Sequence, residues 1–162
     1  MDVTIDVVPL SFSDGANIVV GQSHFIKTAE DIAEIMACTV PGAPYGLAFC
    51  EASGPCLVRT EGNDPSLVDD AVRCAQAVGA GHTFFLLLKN AFPINVLERI
   101  KSCQEVCRIF CATANPLQII VGGTDQGRGI LGVIDGSSPK GVEGEKDKAD
   151  RRSMLRRFGY KF

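Results

Sequence analysis

The run Thr83-Phe-Phe-Leu-Leu-Leu-Lys89 constrains this chain more than any other segment. Its apolar stretch is strand-sized and does not alternate with polar side chains, the pattern of a central strand buried on both faces. A strand of that kind needs a packed layer above it and another below. The preceding segment supplies one candidate. Asp64-Pro65 combines a capping side chain with proline at the first helical position. Leu67, Val68, Ala71, Val72, Ala75 and Val78 then recur at helical spacing, and Gly79 can end the helix.

Alternation of strands and helices continues on both sides. Strands are expected at Asp2–Pro9, Ala16–Gly21, Tyr45–Ser53 and Leu57–Glu61, and again at 105–113, 117–124 and 129–135. Thr28-Ala-Glu-Asp31 resembles a capping box and opens a helix whose Ile32, Ile35 and Met36 share a face. Pro93–Ser102 and roughly 144–157 are further helices, the last ended by Gly159. This order implies an α/β fold: a single layered domain over residues 1–162, with a mixed, partly antiparallel sheet flanked by helices. A chain of 162 residues with 46% hydrophobic side chains can bury about 70% of its unfolded surface without a metal or disulfide staple.

Several classes are set aside at this level. No apolar run approaches the roughly 18 residues of a membrane span. Met1-Asp2-Val3 has no signal-peptide character, and seven cysteines without paired rhythm point to free thiols in a reducing, cytoplasmic setting. Cys103, Cys107 and Cys111 read as buried small hydrophobes, because residues four apart in a strand lie about 13 Å from each other. No metal site is expected. The net charge of −3 disfavours general nucleic-acid affinity, although residues 140–162 hold eight basic and four acidic side chains. Arg151, Arg152, Arg156 and Arg157 of that tail fit a solvated helix better than a nucleic-acid contact.

Four places could carry chemistry. His82 stands at a helix-to-strand junction after Gly79-Ala-Gly81, where glycines permit positive φ and close approach of a ligand. A histidine there can act as a phosphoryl-accepting nucleophile, or simply close a helix end or pair with a core carboxylate. In Gly122-Gly-Thr124-Asp125-Gln126-Gly127-Arg128-Gly129, backbone N–H groups and one arginine could hold a phosphate. The same glycines also suit a β-hairpin. His24 and Lys27, in Gly21-Gln-Ser-His-Phe-Ile-Lys27, precede a helix N-terminus and form a further anion-site candidate. Thr113 and Asn115 end a strand with polar groups suited to a base or ribose edge, or to an ordinary turn.

Cys107-Arg-Ile-Phe-Cys-Ala-Thr-Ala-Asn-Pro116 and Gly127-Arg-Gly-Ile-Leu-Gly-Val-Ile-Asp-Gly136 resemble the adenosine-specific kinase family. The resemblance extends to residues 21–27, to Gly81-His82, to Pro93-Ile-Asn-Val-Leu97 and to the tail from Asp147 through Lys161, in the expected order. It implies a small α/β protein that binds adenosine and AMP, with a phosphoryl group carried on His82 rather than His24. Arg128, Gly127 and Gly129 would then hold the transferring oxygens, with Gln126 and Thr124 beside them. Asn115 and Thr113 would fix ribose or base, and Lys27 or His24 would assist. The resemblance also implies a homo-oligomer, a trimer.

No cofactor is evident. Mg2+ would accompany a nucleoside triphosphate donor, with Asp125 and Asp135 as candidates only by proximity. The alternative function is a non-catalytic adenosine or AMP binding protein.

Overall fold

The computed structural model describes residues 2–162. Eight strands and four helices follow in the order β1 (Thr4–Leu10), β2 (Asn17–Ser23), α1 (Thr28–Thr39), β3 (Tyr45–Cys50), β4 (Val58–Gly62), α2 (Pro65–Val78), β5 (Thr83–Leu88), α3 (Pro93–Lys101), β6 (Val106–Thr113), β7 (Leu117–Thr124), β8 (Gly127–Asp135) and α4 (Glu145–Arg157). The strands form two sheets, β4-β3-β5-β2-β6 and β1-β7-β8.

Every strand ladder is antiparallel, which corrects the expected mixed, single sheet. The helices do cross between parallel strands, as βαβ alternation demands, but those strands are never neighbours. β2 and β3 are joined through α1, yet β5 lies between them. β4 and β5 are joined through α2 with β3 between them, and β5 and β6 through α3 with β2 between them. Each crossover therefore skips one place in the sheet, and the skipped place is filled by a strand of opposite direction.

β5 is the buried central strand: Thr83 through Leu88 are all inaccessible. Phe85 and Leu87 point into a core shared with α2 and the three-stranded sheet, where Leu67, Ala71, Val78, Ile119 and Val121 meet them. Phe84, Leu86 and Leu88 point the other way, onto Ile32 and Met36 of α1 and Val96 and Ile100 of α3. Each such side chain contributes about 1.5–3 kcal/mol by leaving water. At Gly46 the backbone of α2 comes so close to β3 that an added Cβ would sit 2.1 Å from the Leu67 carbonyl carbon.

The Asp64 cap forms, its carboxylate accepting from the Ser66 and Leu67 amides at 2.9 and 3.3 Å, and Gly79 ends α2 with φ 62°. Thr28 does not cap α1. The N-cap is Lys27, and the buried Thr28 hydroxyl donates to the Phe25 carbonyl at 2.6 Å and lies 2.6 Å from the Ser23 hydroxyl. The cysteine expectation is also corrected in part. Cys50 and Cys74 are buried and Cys103 and Cys111 half-buried, but Cys107 is exposed. β6 slips in register against β2 between Val20 and Gly21, so Phe110 and Cys111 face the same core and strict alternation fails there.

Candidate functional site: a glycine-walled cleft between the two sheets

The end of α2 and the β7–β8 hairpin meet at one edge of the molecule. Asp125 and Gln126 make the hairpin turn, with Thr124 paired to Gly127 and the Gln126 amide donating to Thr124 Oγ1 at 3.3 Å. Arg128 thus belongs to β8, which begins two residues earlier than the sequence pattern suggests. Its backbone bridges Ala80, and its guanidinium donates to the Ala77 carbonyl at 3.1 Å and pairs with Asp6 at 3.4 Å. The hairpin is thereby clamped against the turn that follows α2.

Between them lies a cleft of about 580 Å³. Its walls are Gly79 and Gly81 on one side, Thr124, Gln126, Gly127, Arg128 and Gly129 on the other, and Glu51, Ala52 and Cys56 at the end of β3. An added Cβ at Gly81 would lie 2.9 Å from Ala52 Cβ, so glycine there keeps two walls apart. The wall carboxylate, Glu51, is already engaged by Arg59 at 2.8 Å and the Leu57 amide at 2.8 Å; these bonds hold it below the usual carboxylate range. The cleft combines one guanidinium with accessible glycine backbone, a surface suited to an anionic oxygen group.

His82 follows the glycine rim directly. Its φ of 60° is left-handed, a conformation that costs about 1–2 kcal/mol for a residue with a Cβ. Two backbone bonds hold it: the His82 amide donates to the Cys50 carbonyl at 2.8 Å, and its carbonyl accepts from the Ser23 amide at 2.9 Å. The imidazole stacks on Phe49, centroids 5.9 Å apart, and does not line the cleft. Because β2 runs beside β5, His24 comes to the same end of the sheet; it is exposed and stacked on Phe25. Lys27 is bound to Asp31, whose carboxylate raises the ammonium pKa.

Thr113 and Asn115 lie elsewhere. Both bond Asp135 Oδ1, at 2.7 and 3.0 Å, at the far end of β8. Asp135 is seven residues from Arg128 along that strand, about 23 Å. Thr113 instead borders an apolar cavity of about 610 Å³ with Phe92, Ile94, Met154, Phe158 and Tyr160. One chain thus brings together His82, His24, Arg128, Gly127, Gly129, Gln126 and Thr124 at one end, and Thr113 with Asn115 at the other. The sequence reading missed the contributions of Glu51, Ala52 and Asp6; the β3 end carries no motif, and only the sheet order places it on the cleft.

These features define a small α/β protein with an open, arginine-bearing cleft where two antiparallel sheets meet. The chain belongs to the adenosine specific kinase family, whose match covers residues 8–161. It is similar along 99% of both chains to the PH1918 protein from Pyrococcus horikoshii OT3, known from a crystal structure, with 40% sequence identity and a TM-score of 0.94. No curated protein matches it. Among the described residues no helix is long and apolar enough to cross a membrane.

Proposed function

We propose that this chain binds adenosine and AMP and transfers a phosphoryl group to adenosine through a phosphohistidine at His82. The observation that carries the reading is the left-handed His82 set directly after the glycine rim of a cleft that holds Arg128. Strained backbone of this kind clusters at functional sites. A ring nitrogen of His82 attacks the terminal phosphorus of a nucleoside triphosphate, forming the N–P bond as the bond to the diphosphate leaving group breaks. The 5′-hydroxyl oxygen of adenosine then attacks the same phosphorus. The P–N bond breaks, the hydroxyl proton passes to solvent or to the freed imidazole, and AMP results.

Arg128 and the backbone of Gly127 and Gly129 stabilise charge on the transferring oxygens, with Gln126 and Thr124 at their side. His24 or Lys27, neither of which lines the cleft, would assist only from outside it. Mg2+ would be held chiefly through the donor's phosphates. The cleft's own carboxylate, Glu51, is bound to Arg59, and no step here depends on the ion.

The reading includes a homo-oligomer, a trimer, in which Thr113 and Asn115 of one copy approach the Arg128 cleft of another. The span of about 23 Å from Arg128 to Asp135, the partner of Thr113 and Asn115, is too long for one nucleoside to touch both sets within a chain. Val3, Ile5, Val7, Leu131 and Ile134 leave the three-stranded sheet with an exposed apolar face, and α4 buries no residue.

Intact mass of the protein after incubation with ATP, with and without adenosine, tests the route beside His82→Asn. An acid-labile phosphoryl adduct on the unaltered protein alone, discharged by adenosine into AMP, is the expected result. Full turnover by His82→Asn would overturn it. A second reading, a non-catalytic adenosine or AMP binding protein, is favoured by the His82 ring lying on Phe49 rather than in the cleft. It predicts saturable AMP binding with neither adduct nor product.

A further inference from the structure

We propose that Asp31, Cys103 and Glu105 form a binding site for a divalent transition cation of the zinc class. One ligand atom from each lies within 4.8 Å of the others. Asp31 is in the first turn of α1, while Cys103 and Glu105 lie in the turn between α3 and β6. That turn is held against β2 by the His24 amide, which donates to the Glu105 carbonyl at 3.0 Å.

Glu105 is the observation that calls for a ligand. Its residue is 2% exposed, and no N–H or hydroxyl of a neighbouring residue donates to either carboxylate oxygen; the Asp31 carboxyl beside it bonds it only through a shared proton. Such a group carries an uncompensated desolvation penalty, and buried charges are ordinarily paired or bound to a metal. A cation between Glu105, Asp31 and Cys103 supplies that partner. A groove of about 340 Å³, lined by Asp31, Glu34, Ile35, Cys38, Arg99 and Cys103, opens beside the cluster and gives an ion and its water a path.

Ligand chemistry selects the ion. Three protein ligands with one open position suit a four-coordinate centre, and a thiolate favours zinc over magnesium, which takes six oxygens. The groups facing the cluster also include Lys27, which is paired with Asp31, and the groove residues Glu34, Cys38 and Arg99. Lys27 is partly exposed and can swing to solvent when the cation takes over its carboxylate.

Burial, helped by Asp31, pushes the Glu105 carboxyl above its ordinary range. Burial beside Glu105 and Asp31 likewise raises the Cys103 thiol, which stands 3.7 Å from the Arg99 carbonyl.

The test is calorimetric titration of the chelator-stripped, reduced full chain with Zn2+, beside Glu105→Gln, Cys103→Ser and Cys107→Ser. The expected result is one saturable site in the unaltered protein and in Cys107→Ser. Both ligand substitutions should weaken it by more than the roughly 10–100-fold that changes in outer-shell partners bring. Co2+ in place of Zn2+ should give a thiolate charge-transfer band that Cys103→Ser abolishes, a readout that does not depend on Glu105→Gln folding. Absence of saturable Zn2+ binding, affinity unchanged in both ligand variants, or equal binding of Mg2+ overturns the proposal.

Discussion

The guanidinium of Arg128 donates to the main-chain carbonyl of Ala77 at 3.1 Å, joining residues 51 apart in sequence. The bond ties the hairpin of the smaller sheet to the last turn of α2, and the cleft is the gap beside that tie. The same side chain thus closes the structure and leaves its remaining N–H groups available to an anionic ligand.

Arg128→Ala should weaken AMP binding by about 10–100-fold, the equivalent of losing charged hydrogen bonds worth roughly 1.5–3 kcal/mol. Adenosine, which lacks the phosphate, should lose much less. Arg128→Lys keeps the charge without the fork and should fall between the two. Titration calorimetry with both ligands checks the split; equal losses for AMP and adenosine would place the arginine away from the phosphate.

Gly46→Ala tests the packing of α2 on β3. The added carbon would meet the Leu67 backbone at 2.1 Å, and backbone cannot step aside as a flexible side chain does. Overpacking of this kind costs about 1–3 kcal/mol or more. For a chain of this size each kcal/mol lowers Tm by about 2–4 °C. Gly129→Ala, with open space around it, is the matched control and should leave Tm nearly unchanged. A scanning calorimeter distinguishes them.

Asp70 should make the protein acid-sensitive. Burial alone would raise its carboxyl pKa, but the Ser13 hydroxyl and amide, at 2.6 and 2.8 Å, together with Arg73, outweigh that and hold it below the usual value of 3.8. A carboxylate with a lowered folded pKa contributes stability that is complete above its unfolded pKa and is lost as pH falls through the folded one. Stability should therefore decline as the pH drops below about 4. Asp70→Asn should remove about 1–3 kcal/mol at pH 7 and flatten that part of the acid limb. Urea melts of both proteins from pH 7 to pH 2 provide the comparison.

Ile5→Asp and Leu131→Asp place charge on the exposed apolar face of the three-stranded sheet, where the parent side chains are 67% and 61% accessible. Neither alters a core position. If the proposed oligomer assembles through this face, both should convert it to monomer in light scattering while leaving the circular dichroism spectrum intact. If Thr113 and Asn115 reach the cleft of a neighbouring copy, nucleoside binding should fall in parallel with assembly. Binding that survives in the monomer would assign the whole site to one chain.

Much of this was legible in the sequence because it is local. Asp64-Pro65 and Gly79 bound α2 as their backbone chemistry requires, and the Thr83–Leu88 run is the buried strand its lack of alternation indicates. The resemblance carried by residues 107–116 and 127–136 agrees with the family match over residues 8–161. Thr28 misled because a cap depends on where the preceding backbone turns, and here the hydroxyl is drawn inward to Ser23 and Phe25.

By itself the sequence determined which segments become strands and helices, since periodicity, caps and glycines act within a few residues. Only the tertiary structure decided which strands are neighbours. Side-chain pattern does not say that β5 is inserted between β2 and β3, yet that insertion keeps those two parallel strands apart and pairs each with β5 in the antiparallel sense. Long-range packing likewise set Arg128 on Ala77, set Thr113 on Asp135 at the opposite end of β8, and buried Glu105 beside Asp31 and Cys103. These outcomes depend on contacts between residues tens of positions apart, where the energy lies in the fit of whole layers and no local sequence signal records it.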